Sequence, residues 1–127
     1  MMRRFAPVLL CGVMGALTTP ARAHHSFAMF DAEHPIVLEG AVKEYKYTSP
    51  HSFIVLIVAG KDGETTTWTL EGVSPAELGR SGWSSKVLKP GDEIRVKLAP
   101  FRSGVPGGSW RMDDVKFRDG SPIVVTH

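Results

Sequence analysis

A small all-β fold closed into a barrel is what this sequence predicts, on three observations. Apolar residues alternate with period two in several short runs, which is the signature of half-buried strands. Gly, Pro and Asp-Gly turns separate the runs. One capped helical start, and no more, interrupts the series between the third and fourth strands.

The first 23 residues stand outside that pattern. Arg3 and Arg4 precede an apolar run from Phe5 to Leu17. That run is shorter than the roughly 20 residues a membrane-spanning helix needs. Thr18-Thr19-Pro20 breaks it, and Ala21 and Ala23 are the small residues a signal peptidase accepts before its cut. The order predicts a signal peptide over residues 1–23, cleaved after Ala23, and a periplasmic product. A buried first helix would have no reason for this order. A lipid anchor at Cys11 is disfavoured by the bulky Leu10, and Arg3-Arg4 lacks the flanks of a twin-arginine signal.

The expected mature chain, residues 24–127, is one domain that opens on His24-His25. The full chain has 15 Lys+Arg against 13 Asp+Glu. Arg3, Arg4 and Arg22 leave with the leader, so 12 basic residues face 13 acidic ones, a balance of −1 with His neutral. The basic character therefore belongs to the leader and does not argue for nucleic acid. Cys11, the single cysteine, leaves as well. Disulfides, a thiolate metal site and a Cys nucleophile are thereby excluded from the mature chain. No later apolar stretch reaches membrane-spanning length, so no membrane insertion is expected after cleavage.

Residues 24–35 read as an arm. Phe27, Met29 and Phe30 are too apolar for a free tail and are expected to cover part of the core. The first strand runs from Ile36 to Tyr47, with Ile36, Leu38, Gly40 and Val42 on one face. Gly40 suggests a bend or bulge. The second, His51 to Ala59, is apolar on both faces and so asks for cover on both, the arm being a natural cover for one. Asp62-Gly63 makes a hairpin turn into the third strand, Thr65 to Glu71, with Trp68 and Leu70 on one face. Ser74, Pro75 and Glu77 form a helix start with cap, first-turn proline and capping-box partner. Gly79 and Gly82 keep that helix short. After the Leu88–Asp92 turn, Glu93 to Leu98 alternates with Ile94, Val96 and Leu98 inward. Residues 100–109 hold three Gly and two Pro and read as a long flexible hairpin loop. The fifth strand is Trp110 to Phe117, slipping at Asp113-Asp114 as a β-bulge. Asp119-Gly120 turns into a short last strand, Ile123–Val125.

Three strands, a short helix, then two or three strands is the element order of an OB-fold-like barrel of five to six strands. A six-stranded sandwich or another small barrel is the alternative. Several motifs fall in order along the mature chain: His24-His25-Ser26-Phe27-Ala28 with Phe30-Asp31, Leu38-x-Gly40-x-Val42, Ser49-Pro50-His51-Ser52, Gly82-Trp83 and Leu88-Lys89-Pro90-Gly91-Asp92. In these the chain resembles a family of small exported proteobacterial proteins of uncharacterised function. The resemblance implies a Gram-negative periplasmic setting and a compact β-domain, and brings no catalytic residues. Ser49 departs from it, since Asn is expected in that turn.

Two constellations bear chemistry. His24 would offer its new α-amine and a ring nitrogen together, a chelate suited to Cu(II). A further imidazole from His51, His25 or His34 would complete a three-nitrogen site, with copper ahead of zinc. Against this stands the ordinary reading of turn and loop histidines, and His127 is terminal. The second constellation is an aromatic ligand-binding face of Trp68, Trp83, Trp110, Tyr45 and Tyr47, on the surface OB-folds use for oligonucleotides or sugars. Core packing is the competing use of the same rings. The expected partner is then an unknown periplasmic protein or a small ligand such as a sugar or peptide, docked through that face and the 100–109 loop. Asp113-Asp114 and Asp31-Glu33 are carboxylate pairs, but adjacent strand residues point to opposite faces. No hydrolase, phosphate-loop or cofactor motif accompanies them, so a non-catalytic module is expected.

Overall fold

The computed structural model describes residues 27–124; residues 1–26, among them His24 and His25, and residues 125–127 lie outside them. A short 3-10 turn, Phe27–Met29, leads into five strands: β1 (Ile36–Lys46), β2 (Phe53–Ala59), β3 (Thr65–Glu71), β4 (Glu93–Pro100) and β5 (Gly107–Phe117). Helix α1 (Pro75–Arg80) sits between β3 and β4. The strands close in the order β1-β2-β3-β5-β4, with β4 paired back onto β1. β3 and β5 run parallel, and the other pairs are antiparallel. This is an OB-like barrel, as the element order predicts. Among the described residues no helix is long and apolar enough to cross a membrane.

The β1 alternation changes phase partway along. Val42 faces inward and is buried, then the register with β2 slips between Val42 and Glu44. The extra residue, Lys43, moves the inward face from even to odd positions, so Tyr45 and Tyr47 pack on the core. The bulge is therefore at Lys43 and not at Gly40, where the sequence suggested it. Gly40 answers a different need: a Cβ there would lie 2.4 Å from the Ile57 carbonyl oxygen.

Ile54 and Leu56 of β2 are fully buried, while Phe53, Val55 and Ile57 on the other face are half-buried. The arm was expected to cover one face of this strand. It docks instead on the turn after β4. The Asp31 N–H donates to Pro100 O (2.8 Å), and the Arg102 N–H donates to Met29 O (2.9 Å). Phe30 stacks on Phe101 at 5.2 Å and is 8% exposed. Met29 stays exposed, and Phe27 is 90% exposed, so of the arm's three large apolar residues Phe30 alone enters the core.

Helix α1 is set by its two ends. Ser74 Oγ accepts from the Glu77 N–H, and Pro75 occupies the first turn. At the other end Gly82, at φ +82°, follows the cap. Its N–H donates to Gly79 O, and the Trp83 N–H donates to Leu78 O. This is a Schellman closure, and it drops Trp83 into the core beside Leu78. A side chain at Gly82 forces an L-residue into left-handed backbone. Gly82→Ala is expected to destabilise the domain by about 1–2 kcal/mol, read as a lower midpoint in urea with an unchanged slope.

The stretch 100–109 is not the long flexible loop its composition suggested. β5 begins at Gly107, and Gly107 and Gly108 are buried, both paired with β3, while Gly108 also pairs Pro100 of β4 and Gly107 O accepts from the Phe101 N–H just beyond it. Their glycine identity serves close approach, not mobility. Pro106, with no N–H to give, stands just before the point where the β3–β5 ladder begins at Thr69–Gly107. The expected slip at Asp113-Asp114 lies within an irregular stretch of β5, since Leu98 pairs Trp110 and Val96 pairs Val115. The expected last strand reduces to one bridge between Lys116 and Pro122. Proline again cannot extend a ladder, and Val125 lies outside the described residues.

Candidate metal centre

His51 sits just before β2 and is held from across the barrel end. Its Nδ1 lies 3.2 Å from Gly72 O. A backbone carbonyl can only accept, so Nδ1 carries the proton and the lone pair of the neutral ring is on Nε2. The Glu71 carboxylate, 3.5 Å from Nδ1, adds its charge behind the ring. This is the support that metal-ligating imidazoles receive from a carbonyl or carboxylate. The register explains the meeting: Phe53 pairs Glu71 at the end of the β2–β3 ladder, and Ser52 and Gly72 continue it through the Gly72 N–H to Ser52 O bond (2.7 Å).

The ring of His51 helps line a cavity of about 500 Å³, together with Phe27, Phe30, Pro50, Val73, Trp110, Glu71, Glu77 and Arg111. Its surface is mainly apolar, with two carboxylates, one guanidinium and the His51 ring among its walls, the composition of a small-ligand site. Gly72 is part of the wall because the Trp110 indole lies directly on it; a Cβ at Gly72 would stand 2.4 Å from the ring.

His34 is placed elsewhere. Its Nδ1 lies 3.1 Å from both Asp31 carboxylate oxygens, three residues back along the arm. Asp31, Glu33 and His34 bring ligand atoms within 4.8 Å of one another, and His51 is not in that group. Arg102 also reaches Asp31, at 3.5 Å. Partial burial pushes the Asp31 carboxyl up, but the His34 hydrogen bond and charge and the Arg102 guanidinium outweigh it and hold it below the usual range. Glu33 and His34 are exposed, and Asp31 is already engaged by the His34 ring and by Arg102, which describes a solvated surface cluster better than a metal cage. His24 and His25 lie outside the described residues.

The five aromatic residues do not make an exposed face. Trp83 and Trp110 are 5% and 2% exposed, and both belong to the core. Trp83 packs on Trp110 at 5.3 Å, Tyr45 on Trp83 at 6.4 Å, and Tyr47 on Tyr45 at 6.2 Å. Trp68 is half-buried against the same core. Burial, with Tyr47 beside it, pushes the Tyr45 phenol up. Trp83 and Trp110 are therefore core rings, Trp83 turned inward by the closure at Gly82 and Trp110 meeting solvent only at the wall of the cavity beside His51.

Sequence reasoning missed Phe27, Phe30, Glu71, Glu77 and Arg111 as neighbours of His51. Phe27 and Phe30 stand three apart, the spacing of one face of a 3-10 turn, and this was the available signal. Nothing local announces Glu71, Glu77 or Arg111, which arrive through strand register and the helix start.

Among solved structures, the chain is similar to the mitochondrial single-stranded DNA-binding protein Rim1 of S. cerevisiae, with a TM-score of 0.50. Identity is 9%, and the match covers 67% of this chain and 93% of that one. At that identity the likeness shows the fold alone. No curated protein matches the chain. The family model of unknown function DUF6152 matches residues 13–111, so the chain belongs to that family.

Proposed function

We propose that the mature protein is an exported periplasmic binding module that holds Cu(II). The ligands in this reading are the α-amine and ring of His24 and Nε2 of His51, with His25 assisting. The observation that supports it is the shared wall of one cavity: Phe27 lines it together with His51. His24 is three positions from Phe27, a span of at most about 10 Å. His51 meanwhile turns Nε2 away from Gly72, in the tautomer a ligand requires. Amine and imidazole nitrogens suit copper, which tops the affinity order for such sets. His34 is engaged with Asp31 in a separate group, so His25 is the better assistant.

An interaction domain that docks a partner through exposed aromatics is the competing reading, and the burial of Trp83 and Trp110 weighs against it. Binding of single-stranded DNA, the property for which the similar yeast protein is named, is disfavoured here by the mature balance of −1 and by the burial of the same two rings.

The test is a Cu(II) titration of a chain beginning at His24, followed by EPR, beside a chain with one extra residue before His24. Tight uptake of one ion with nitrogen hyperfine structure, lost in the extended chain, is the expected result. Equal weak binding by both chains would sink the copper reading.

A further inference from the structure

The cavity beside His51 is lined mainly by apolar surface and by two carboxylates, Glu71 and Glu77, against one guanidinium, Arg111. Phe27, at its edge, is 90% exposed. We infer that in the metal-free protein the processed amino terminus, His24-His25-Ser26, is itself the occupant of this cavity, with its α-ammonium held between Glu71 and Glu77. The inference shares with the copper reading the cleavage after Ala23, but not the ion.

Chain geometry comes first. The arm is pinned just downstream: Arg102 Nε donates to Ala28 O (3.0 Å), and its backbone N–H donates to Met29 O. Phe27 is thereby tied to the cavity edge. Three further residues reach at most about 10 Å, so a chain that ends at His24 ends beside this cavity. A cavity of about 500 Å³ falls in the size range that takes a small organic ligand, and a short terminal peptide is such a ligand.

Chemistry comes second. The segment carries one cation at its end and two rings that are neutral or cationic. The wall it meets has an acidic excess, and Glu71 carries a largely enclosed carboxylate, its side chain 16% exposed. An ammonium between carboxylates in a partly enclosed site makes charge-assisted hydrogen bonds, stronger than neutral ones. The segment would also cover the exposed Phe27 ring, for which the described residues offer little.

Removal of the leader then has a structural consequence. With the leader attached there is no α-ammonium at residue 24 to meet the two carboxylates. Cleavage creates the group that fits, so processing completes the fold at this end of the barrel.

The barrel lies wholly within residues 27–124, so a chain beginning at His24 contains all of it. Backbone ¹⁵N relaxation and NOE spectra of that chain, with a chelator present to remove metal, test the inference. His25 and Ser26 should show order parameters near 0.85, the value of rigid backbone, with NOEs from the His24 or His25 rings to Trp110 and Val73. The double variant Glu71→Gln, Glu77→Gln should lower both. Order parameters below about 0.6 with those NOEs absent in the parent chain would overturn the inference. So would intermolecular NOEs at the cavity in a mixed-label sample, since a second copy would then be the occupant. A rigid terminus in a protein that binds no copper leaves this inference standing and removes the copper reading; a mobile metal-free terminus in a protein that binds copper tightly does the reverse.

Discussion

A Gly108→Ala variant is expected to lose about 3 kcal/mol of stability, the upper part of the overpacking range. The added Cβ would stand 2.3 Å from Ala99 O, 2.7 Å from Leu98 Cδ1 and 2.9 Å from Pro100 Cα. Two of these three atoms are backbone, so no rotamer change relieves the clash. β4 must shift away from β5 at the point where β5 also begins its parallel pairing with β3 through Gly107, Gly108 and Ser109. That pairing closes the barrel, and the β3–β5 ladder is short. For a domain of this size about 3 kcal/mol corresponds to more than ~10 °C in melting temperature. Gly120→Ala is the matched control. Gly120 has φ +91° and no neighbour within 4 Å of an added Cβ, so it carries only the cost of left-handed backbone, about 1–2 kcal/mol. Thermal melts of the two variants separate the two reasons a protein keeps glycine. If Gly108→Ala melts no lower than Gly120→Ala, the close approach at the β3–β5 seam is wrong.

The same contrast explains how much of the fold was legible. Where one residue type answers one physical need, reading was direct: Thr65 to Glu71 is β3 residue for residue, and Ser74-Pro75 opens α1 because cap and first-turn proline have few other uses. Glycine answers several needs with one letter. Gly40 reads equally as a bend or as a close contact, and Gly107 and Gly108 read equally as flexible loop or as packed strand. The deciding atoms, Ile57 O and Ala99 O, belong to other strands. The Lys43 bulge was present in the pattern as a switch of apolar positions from even to odd, from Val42 to Tyr45 and Tyr47, but the aromatic letters alone do not say which face they take. The site was legible only in part for the same reason. His51 stood out beside Pro50, and the Asp31–His34 pair was available as a three-residue spacing. The partners that orient His51, Gly72 and Glu71, lie some twenty positions along the chain and reach it only through the β2–β3 register.

His51→Ala is expected to weaken Cu(II) binding by about 100-fold or more in the chain beginning at His24, because it removes a ligand outright. Effects of supporting residues on metal affinity are typically 10- to 100-fold, and loss of the ligand itself should be at the top of that range or beyond. Glu71→Gln should cost at most about 10-fold, the low end. Its contact with Nδ1 is long, 3.5 Å, whereas the Gly72 carbonyl at 3.2 Å keeps the tautomer, and the Gln side chain still offers an accepting oxygen. His34→Ala should leave the affinity unchanged, since that ring is bonded to Asp31 and stands in a group without His51. The order of the three variants matters more than any one value. Loss at His51 with none at His34 points to a site at the His51 cavity; loss at His34 with none at His51 points to the Asp31, Glu33 and His34 group instead. Equal affinity in all three would leave the amino terminus as the whole site. Because losing the bond to Gly72 O costs about 1 kcal/mol of stability, each variant is compared by its melt before titration. The affinity comparison is then made on folded protein, where the orientation of a single imidazole by one backbone carbonyl is the variable under test.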